Sequence, residues 1–529
     1  MDRPQGLNSL GVAMSEQELK LNVPVNAQIR VEQAVQRAKF TEISLRALYF
    51  DTPSRDLVRA RMALRLRLEG QQWVQALKMP GDHSLSRIEI NQNRPEATLD
   101  LSIYAGTPAG EIIAGLTEPL IVCYETDVKR LVRDIRSQTG TVELAYDRGW
   151  LRAGALQLPI SEVEFELKRG ALEAVFAVGR QWQQRFGLIL DFRSKAERGD
   201  RLAQLAQALL TLEAGEAAEH QDLARARLIA DFWNPRNAES VDLIPAAKQR
   251  DAAQALAAVT SECLEHIVRN AAILCEIDTS GIYSASTPEH LHQLRVGIRR
   301  LRSAWSFFEG LTPLPSLEHR QQISQYFSQL GGTRDEDVLQ DSVLPALYAA
   351  GMPPLELTAS CGSRAGNDLV SSPAFQGWLL DMLATCTVPA LPSEPREPRE
   401  PPLKPLLIQT LKKWHRQVVR RGLNFSSLEI EAQHALRKKS KRLRYALQFC
   451  ESLLPESNMR RYRKQLACVQ DILGEMNDLY LAVPIFEAMK EKQAHAWFAC
   501  GWIQARLAML TRQAAEAFKQ LANEKRPWE

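Results

Sequence analysis

The sequence predicts a multidomain α+β protein, with a strand-rich N-terminal domain followed by an all-helical C-terminal domain. The chain has 529 residues, more than a single hydrophobic core usually supports. Short runs of alternating apolar and polar residues, the period of β-strands, continue to about Arg198. Later residues are rich in Ala, Leu, Gln and Arg and follow the helical period, and they contain an internal duplication.

Composition and charge exclude several classes of protein. The chain has 66 Lys and Arg against 63 Asp and Glu, so no global positive field directs it to nucleic acid. Its eight cysteines are scattered without a C-x-x-C pair, which argues against structural zinc and secretory disulfides and favours a reducing cytoplasm. No apolar run reaches the roughly 18 residues of a membrane span, and no signal peptide is evident. We expect a cytoplasmic protein without membrane contact.

Charged and apolar residues alternate along the predicted strands of the front domain. The first strand places Glu16, Glu18 and Lys20 on one face and Leu19 on the other. The same arrangement recurs further along the chain with Arg65 and Arg67, Lys78, Arg87 and Glu89, and Glu162, Glu164, Glu166 and Lys168. One such row is ordinary for a solvent-exposed sheet face. Several rows within one domain favour a barrel with a polar interior and a packed outside.

These charges suit one chemistry. Carboxylates bind Mg²⁺ or Mn²⁺ through oxygen, and guanidinium and ammonium groups bind phosphate oxygens. No G-x-x-x-x-G-K loop is present, which argues against a P-loop nucleotide hydrolase. Asp147 precedes Arg148-Gly149, so two interpretations stay open: a residue of the barrel interior or a turn residue.

Five ordered motifs in this region resemble the CYTH family, the triphosphate tunnel metalloenzymes. They are Glu16-x-Glu18-x-Lys20, Tyr49 to Thr52, Leu64 to Arg67, Glu162 to Lys168 and Ser194 to Gly199. The resemblance implies an eight-stranded antiparallel tunnel in which acidic residues hold one or two divalent metals and basic residues bind a linear triphosphate. It implies metal ligation by Glu16, Glu18, Glu89, Glu164 and Glu166, and substrate binding by Lys20, Arg65, Arg67, Lys78, Arg87, Arg130 and Lys195. Arg130 is our choice among Lys129, Arg130 and Arg133.

We place the predicted domain boundaries where the composition and the apolar periodicity of the sequence change. The tunnel domain covers residues 14–205, because the signature strand starts at residue 16; either translation starts at Met14 or the preceding residues form an unstructured arm. Residues 206–241 form a linker of helix and then loop around Asn234 to Asn237. The helical domain covers residues 242–529, with a Pro-rich and charge-rich insertion at about 392–405, which we expect to be exposed and disordered.

The helical domain repeats one motif. His292, Arg295, Arg299 and Arg302 recur at identical offsets as His434, Arg437, Lys441 and Arg444. Downstream, Leu330-Gly331 with Asp335 recurs in nearly the same register as Leu473-Gly474 with Asp478. At about 100° per residue the His and basic positions fall within one quadrant of a helix, beside an apolar face. A single basic face usually contacts only water, but two in register favour a polyanion with regularly spaced phosphates.

The duplication resembles the CHAD domain, an all-helical bundle of two similar halves whose basic faces line a groove that binds inorganic polyphosphate. The resemblance implies polyphosphate binding by the eight repeated residues. A zinc site on His290 and His292 is a rival interpretation, but helical residues two apart diverge by about 200° and no third ligand is evident.

The combined prediction is a metal-dependent hydrolase of inorganic triphosphate with a polyphosphate-binding helical domain. Two alternatives remain. The first is a non-catalytic protein that attaches to polyphosphate granules. The second is the same tunnel acting on thiamine triphosphate or converting ATP to cyclic AMP.

Overall fold

The computed structural model describes residues 14–80, 86–215, 218–249, 251–278, 288–331, 339–354, 363–387, 402–491 and 493–529. The residues before Met14, Asp335 and residues 392–401 of the Pro-rich insertion lie outside the described residues. The chain divides into two compact units. The first comprises residues up to 236 together with 268–290 and 370–389, and the second comprises 237–267, 291–369 and 390 onward.

The first unit is built on a closed antiparallel barrel. Its strands are β1 (Met14–Asn22), β2 (Thr41–Asp51), β3 (Ala63–Glu69), β4 (Gln72–Pro80), β5 (Ser86–Arg94), β6 (Ile121–Arg136), β7 (Gly140–Ala153), β8 (Leu156–Gly170) and the short β9 (Ile189–Leu190). Neighbours follow the order β5-β4-β3-β2-β6-β7-β8-β1-β9, and a further pairing of β5 with β1 closes eight strands into a ring. The predicted eight-stranded antiparallel tunnel is confirmed.

Strand register places the predicted site residues on one face of the ring. Directly opposite residues in antiparallel strands point the same way, so a face can be followed from strand to strand. The pairs that carry this face are Glu16 with Arg87, Lys78 with Glu89, Arg130 with Asp147, Asp147 with Glu162, and Lys20 with Glu164. This is the inner face of the barrel. Asp147 is therefore an interior strand residue, and the turn interpretation is wrong.

Helices of the first unit pack on both faces of the barrel wall. They are α1 (Gln28–Gln36), α2 (Asp56–Arg59), α3 (Pro108–Ala114), α4 (Glu173–Phe186), α5 (Lys195–Gly215) and α6 (Ala218–Ala230). An outer core joins Leu64 and Leu77 to α3. Inner-face apolar residues such as Leu45, Val128 and Leu158 pack instead against Leu202 and neighbouring residues of α5. Helix α5 therefore fills one end of the barrel and leaves the charged residues to the rest of it.

Gly199 allows the start of α5 to come close to the wall. A Cβ atom at residue 199 would lie 2.2 Å from the ring of Tyr124. The Tyr124 hydroxyl donates a 3.0 Å hydrogen bond to the carbonyl of Ala196. Both contacts fix the first turn of α5, and with it the position of Lys195.

The remaining chain is helical, as predicted. Its helices are α7 (Ile244–Gln249), α8 (Ala252–Leu274), α9 (Pro288–Phe308), α10 (Leu317–Gln329), α11 (Leu344–Ala349), α12 (Ser363–Ser371), α13 (Pro373–Thr387), α14 (Leu403–Gly422), α15 (Ile430–Phe449), α16 (Glu456–Met489) and α17 (His495–Asn523). The duplicated motifs lie on α9 and α15. Among the described residues, none of these helices combines the length and apolar character that crossing a membrane requires.

Two segments of the predicted helical domain belong to the same compact unit as the barrel. These are residues 268–290 and 370–389. In the second segment, the side-chain oxygen of Gln376 accepts a 2.9 Å hydrogen bond from the backbone of Leu190 in β9. Each compact unit is therefore built from several separate segments of the chain, and no single boundary in the sequence divides the two units.

Candidate active site

Three buried carboxylates surround one ammonium group inside the barrel. The Nζ atom of Lys195 lies 2.7 Å from Asp147, 2.8 Å from Glu164 and in contact with Glu162. One oxygen from each carboxylate lies within 4.8 Å of the others. The side chains of Asp147 and Glu162 are each only 1% exposed. Carboxylates this close repel strongly in a low-dielectric interior, so the central cation is essential to the arrangement.

Arg130 neutralises the same cluster from the neighbouring strand. Its guanidinium donates a bidentate pair of hydrogen bonds to Asp147, at 2.6 and 2.7 Å, and another of 2.5 Å to Glu164. Burial by itself raises the pKa of Glu164, but Lys195 and Arg130 outweigh it and hold that pKa well below its usual value. The pKa of Asp147 is lowered for the same reasons. Both carboxylates are therefore charged at neutral pH.

A second ionic group is centred on Glu89. Its carboxylate, only 3% exposed, lies 3.2 Å from Arg65 and 2.7 Å from Lys78. Arg65 also donates a 3.5 Å hydrogen bond to the hydroxyl of Tyr49. Burial lowers the pKa of Arg65, but Tyr49 and Glu89 together raise it above its usual value. Arg67 lies one step along β3 and donates to Glu69 at 2.6 Å.

The first strand contributes both signs of charge. Lys20 donates to the backbone carbonyl of Arg193 and lies 3.5 Å from Glu162. Glu18 is half-buried, lies opposite Glu166 in the β1–β8 pairing and helps to raise the pKa of Arg130. Glu16 and Arg87 share the inner face by register, but their side chains lie outside the described residues.

The structure decides between neighbouring candidate site residues that the sequence pattern does not distinguish. Lys129 is exposed and pairs with Glu42, and Arg133 donates to the carbonyl of Ala34, so Arg130 alone of the three candidates reaches the cluster. Glu166 is 30% exposed and is held by Lys168 at 3.1 Å. Glu162 takes part in the three-carboxylate cluster in its place. The resemblance to the CYTH family implied no ligand role for Glu162. The sequence pattern that could have indicated Glu162 is the complete Glu-x-Glu-x-Glu row of β8. In the structure, Asp147 lies opposite the first member of this row.

The cluster fits a divalent metal by its donor set. Three carboxylates from β7 and β8 can offer oxygens to one point, and Mg²⁺ and Mn²⁺ prefer oxygen ligands. Glu18 of β1 lies on the same inner face. Asp147, Glu162 and Glu164 are therefore the described residues best placed to hold such an ion, with Glu18 beside them.

The first helical repeat combines packing and charge. The guanidinium of Arg295 is buried, donates to the carbonyl of Leu330 and lies 4.8 Å from the ring centre of Phe327. Arg299 and Arg302 lie over the same ring at 5.9 and 5.6 Å. In this copy, the contact between Arg295 and the carbonyl of Leu330 explains why the basic motif and the Leu-Gly pair keep a fixed spacing. Arg295 supports the fold of the repeat, whereas the sequence places it on the displayed stripe.

In the second repeat the basic motif again lies beside the Leu-Gly segment, but the aromatic neighbour is different. His434 packs edge-on against Tyr480 at 5.5 Å, and together with Arg437 and Leu473 it lines a small pocket. Burial and the adjacent Arg437 lower the pKa of His434. This imidazole is therefore predominantly neutral at neutral pH.

Basic residues of the two repeats converge on one tyrosine. Burial raises the pKa of Tyr445, but the positive charges of Arg299 from α9 and Arg444 from α15 lower it below its usual value. Burial and the proximity of Arg442 lower the pKa of Arg302. Among the described carboxylates, none forms an ion pair with these four arginines. Two repeated positions remain: His292 is half-buried on α9, and Lys441 is half-buried on α15.

One ring nitrogen of His290 is already engaged in a backbone contact. Its Nε2 atom lies 2.9 Å from the carbonyl oxygen of Trp233 and must donate a proton to it. Among the described residues, the group of three carboxylates is the one set of potential ligands that could hold a metal ion. The rival zinc interpretation is therefore not supported.

Comparison with known proteins gives independent findings. The CYTH domain model matches residues 14–199, and the CHAD domain model matches residues 258–486. An inorganic triphosphatase of Haemophilus influenzae is 31% identical over 195 residues, which cover 35% of this chain and 54% of that protein. The chain thus spans about half the length of this curated relative.

Two solved structures resemble parts of the chain. The CHAD domain from the plant Ricinus communis is 27% identical, with a TM-score of 0.42, covering 56% of this chain and 96% of that chain. A candidate adenylyl cyclase from Hippeastrum with a dominant triphosphatase activity is 17% identical, with a TM-score of 0.26, covering 34% of this chain and 90% of that chain. From the two domain matches, the chain contains a CYTH domain at residues 14–199 followed by a CHAD domain at residues 258–486.

Proposed function

We propose that the barrel hydrolyses inorganic triphosphate to pyrophosphate and orthophosphate with the help of Mg²⁺ or Mn²⁺. The observation that carries this proposal is the inner face itself, where Lys195 and Arg130 lie among the carboxylates of Asp147, Glu162 and Glu164. A site that only binds anions gains nothing from buried carboxylates, because they repel its ligand. Carboxylates beside phosphate-binding cations suit a substrate that arrives with a metal.

Basic side chains around the barrel would bind the phosphate oxygens. Arg65 and Lys78 reach the interior from β3 and β4, whereas Lys195 and Arg130 reach it from α5 and β6. Guanidinium forks and ammonium groups placed on several sides of a linear triphosphate fix it along the barrel. Binding of the substrate would replace part of the present ion pairs, so the basic groups exchange one set of oxygens for another.

The carboxylates would bind the metal and accept a proton. Asp147, Glu162 and Glu164 would hold the divalent ion, together with Glu16 and Glu18 of β1. When bound, the ion neutralises phosphoryl oxygens and makes water a stronger nucleophile. A carboxylate of this group accepts the proton of the attacking water, whose oxygen forms a bond to the terminal phosphorus. The bridging P–O bond breaks in line, and the electron pair leaves with pyrophosphate.

A phosphate-release assay tests the proposal. The full chain should release orthophosphate from tripolyphosphate in the presence of Mg²⁺ or Mn²⁺ and should release less from thiamine triphosphate or ATP. Glu18→Gln should lower kcat by about two orders of magnitude or more while leaving the barrel folded, because it removes ligand charge at constant shape. Glu143→Gln, on the same inner face but paired with Lys168, is the matched control.

Three outcomes would contradict the assignment. Near-normal turnover of the Glu18 variant with unchanged metal dependence would remove β1 from the metal site. Preference for thiamine triphosphate, or production of cyclic AMP from ATP, would assign the same barrel to another triphosphate. Absence of hydrolysis with retained tripolyphosphate binding would favour a binding protein associated with polyphosphate granules.

We propose further that the helical repeats bind inorganic polyphosphate in the cytoplasm. Arg299 of α9 and Arg444 of α15 both act on Tyr445, and Arg302 of α9 lies close enough to Arg442 of α15 for their charges to interact. Cations gathered without balancing carboxylates repel each other, and a chain of phosphates removes this repulsion. Bound polyphosphate would keep the enzyme near polymeric phosphate and its short products.

A further inference from the structure

Asp278 links the helical part of the chain to the interior of the barrel. It follows helix α8, lies outside the residues that match the CYTH domain model, and belongs to the same compact unit as the barrel. Its side chain is 1% exposed and accepts hydrogen bonds of 2.8 and 2.5 Å from Arg198. This carboxylate is not among those whose oxygens form the candidate metal cluster.

Arg198 contacts both Asp278 and a carboxylate inside the barrel. It is fully buried, and besides Asp278 it donates to Glu162 at 3.3 Å and to the carbonyl of Pro159 at 2.7 Å. Glu162 in turn contacts Lys195 and lies 3.5 Å from Lys20. The planar fork of one arginine therefore joins Asp278 to a carboxylate of the candidate metal cluster.

A second arginine makes a parallel connection. Arg193 lies 3.7 Å from Asp278 and forms a bidentate pair with Asp191 at 2.9 and 2.8 Å. The backbone carbonyl of Arg193 accepts the hydrogen bond from Lys20. Lys20 and Lys195 are two of the three lysines assigned to phosphate binding. Lys20 contacts the backbone carbonyl of Arg193, and Lys195 contacts Glu162, the carboxylate that Arg198 holds.

Charge balance makes Asp278 important to this geometry. Without it, the buried charge of Arg198 is left with Glu162 as its carboxylate partner and draws that side chain away from the lysines. An uncompensated buried charge is costly, so the surrounding side chains rearrange. We propose that Asp278 is a positioning residue for the triphosphate site, acting through Arg198 and Arg193 to set Glu162, Lys195 and Lys20. This inference rests on the proposed function of the barrel.

The test compares two isosteric variants of the full chain. Asp278→Asn removes the positioning charge. Asp381→Asn removes a carboxylate that pairs at 3.3 Å with Arg180, a residue of helix α4 that contacts Gln183 and no member of the cluster. Both affect an ion pair within the same compact unit, so both can alter thermal stability. Only the first should alter the substrate site.

The readouts are the Kd for tripolyphosphate by calorimetry in EDTA and, with Mg²⁺, the split between KM and kcat. For Asp278→Asn we expect both Kd and KM to rise about 10-fold, equivalent to about 1.4 kcal/mol, with kcat within about 3-fold, because lost ground-state contacts raise KM. Asp381→Asn should keep the wild-type values. Asp278→Glu, which keeps the charge, should recover part of the loss.

Arg198→Lys provides a second test if Asp278→Asn does not fold. Lysine keeps the charge but cannot contact Asp278, Glu162 and Pro159 in one plane, so Kd should rise in the same way. Wild-type Kd and KM in either folded variant would overturn the inference. A wild-type protein that binds tripolyphosphate without hydrolysing it would overturn the proposed function instead, and the Kd comparison would still decide the role of Asp278.

Discussion

Replacing Lys195 with methionine is the most direct test of the ionic cluster. The change removes the ammonium but keeps most of the aliphatic volume. Lys195 is 13% exposed and contacts three carboxylates, two of them 1% exposed and the third 17% exposed. Arg130 and Arg198 still neutralise part of their charge, but no cation remains at the centre.

The expected effect is large because the partners are buried. Removing one member of a buried ion pair costs about 3–5 kcal/mol, since the other member is left uncompensated. For the compact unit of roughly 280 residues that contains the barrel, this corresponds to a fall in Tm of about 5–9 °C, because the entropy of unfolding scales with chain length. Lys168→Met is the control, because Lys168 also pairs with two carboxylates but is 40% exposed, and exposed pairs contribute about 1 kcal/mol or less.

Metal should partly reverse the loss. A divalent ion among Asp147, Glu162 and Glu164 replaces the missing charge, so Mg²⁺ or Mn²⁺ should raise the Tm of the Lys195 variant more than that of the wild type. The assay is thermal unfolding by circular dichroism in EDTA and in a metal series. A Tm loss no larger than that of the Lys168 control, or equal stabilisation by metal in variant and wild type, would refute the argument.

Three further predictions concern the rest of the chain. Arg65→Ala should raise KM for tripolyphosphate and lower kcat, and Arg67→Ala should do likewise, because phosphate contacts act in the ground and transition states; unchanged constants would mean that neither side chain reaches the substrate. Replacing Arg299 and Arg444 together with Ala should weaken the gel shift of the full chain by long-chain polyphosphate, with steep salt dependence and intact triphosphate hydrolysis; an unchanged shift would leave the basic faces as solvated surface. Burial and Arg526 lower the pKa of His415 to about 4, below the roughly 6.5 of an unfolded chain. Its contribution to the free energy of unfolding is therefore complete above about pH 6.5 and declines as pH falls towards 4, because the unfolded chain binds the proton first. Urea unfolding of wild type and His415→Asn should differ in this pH interval, and parallel curves would disprove it.

The sequence by itself determined the classes of element and the faces of the strands. Alternation has a period of two, so Glu18 and Lys20, or Arg65 and Arg67, had to share a face wherever the strand lay. The duplication likewise required two similar helices, now seen as α9 and α15. These features are local consequences of backbone geometry and need no knowledge of neighbouring elements.

Only the tertiary structure decided which charges meet. Glu162 and Glu166 share a face of β8 but lie about 13 Å apart along it, so the position of α5 and β7 selects Glu162 for the cluster. Arg295 carries the same motif position as Arg437, yet its contact with the Leu330 carbonyl depends on how α10 ends beside α9. Asp278 reaches Arg198 from 80 residues further along the chain. No local period encodes such a contact, because burial and charge pairing between distant segments are settled only when the chain has packed.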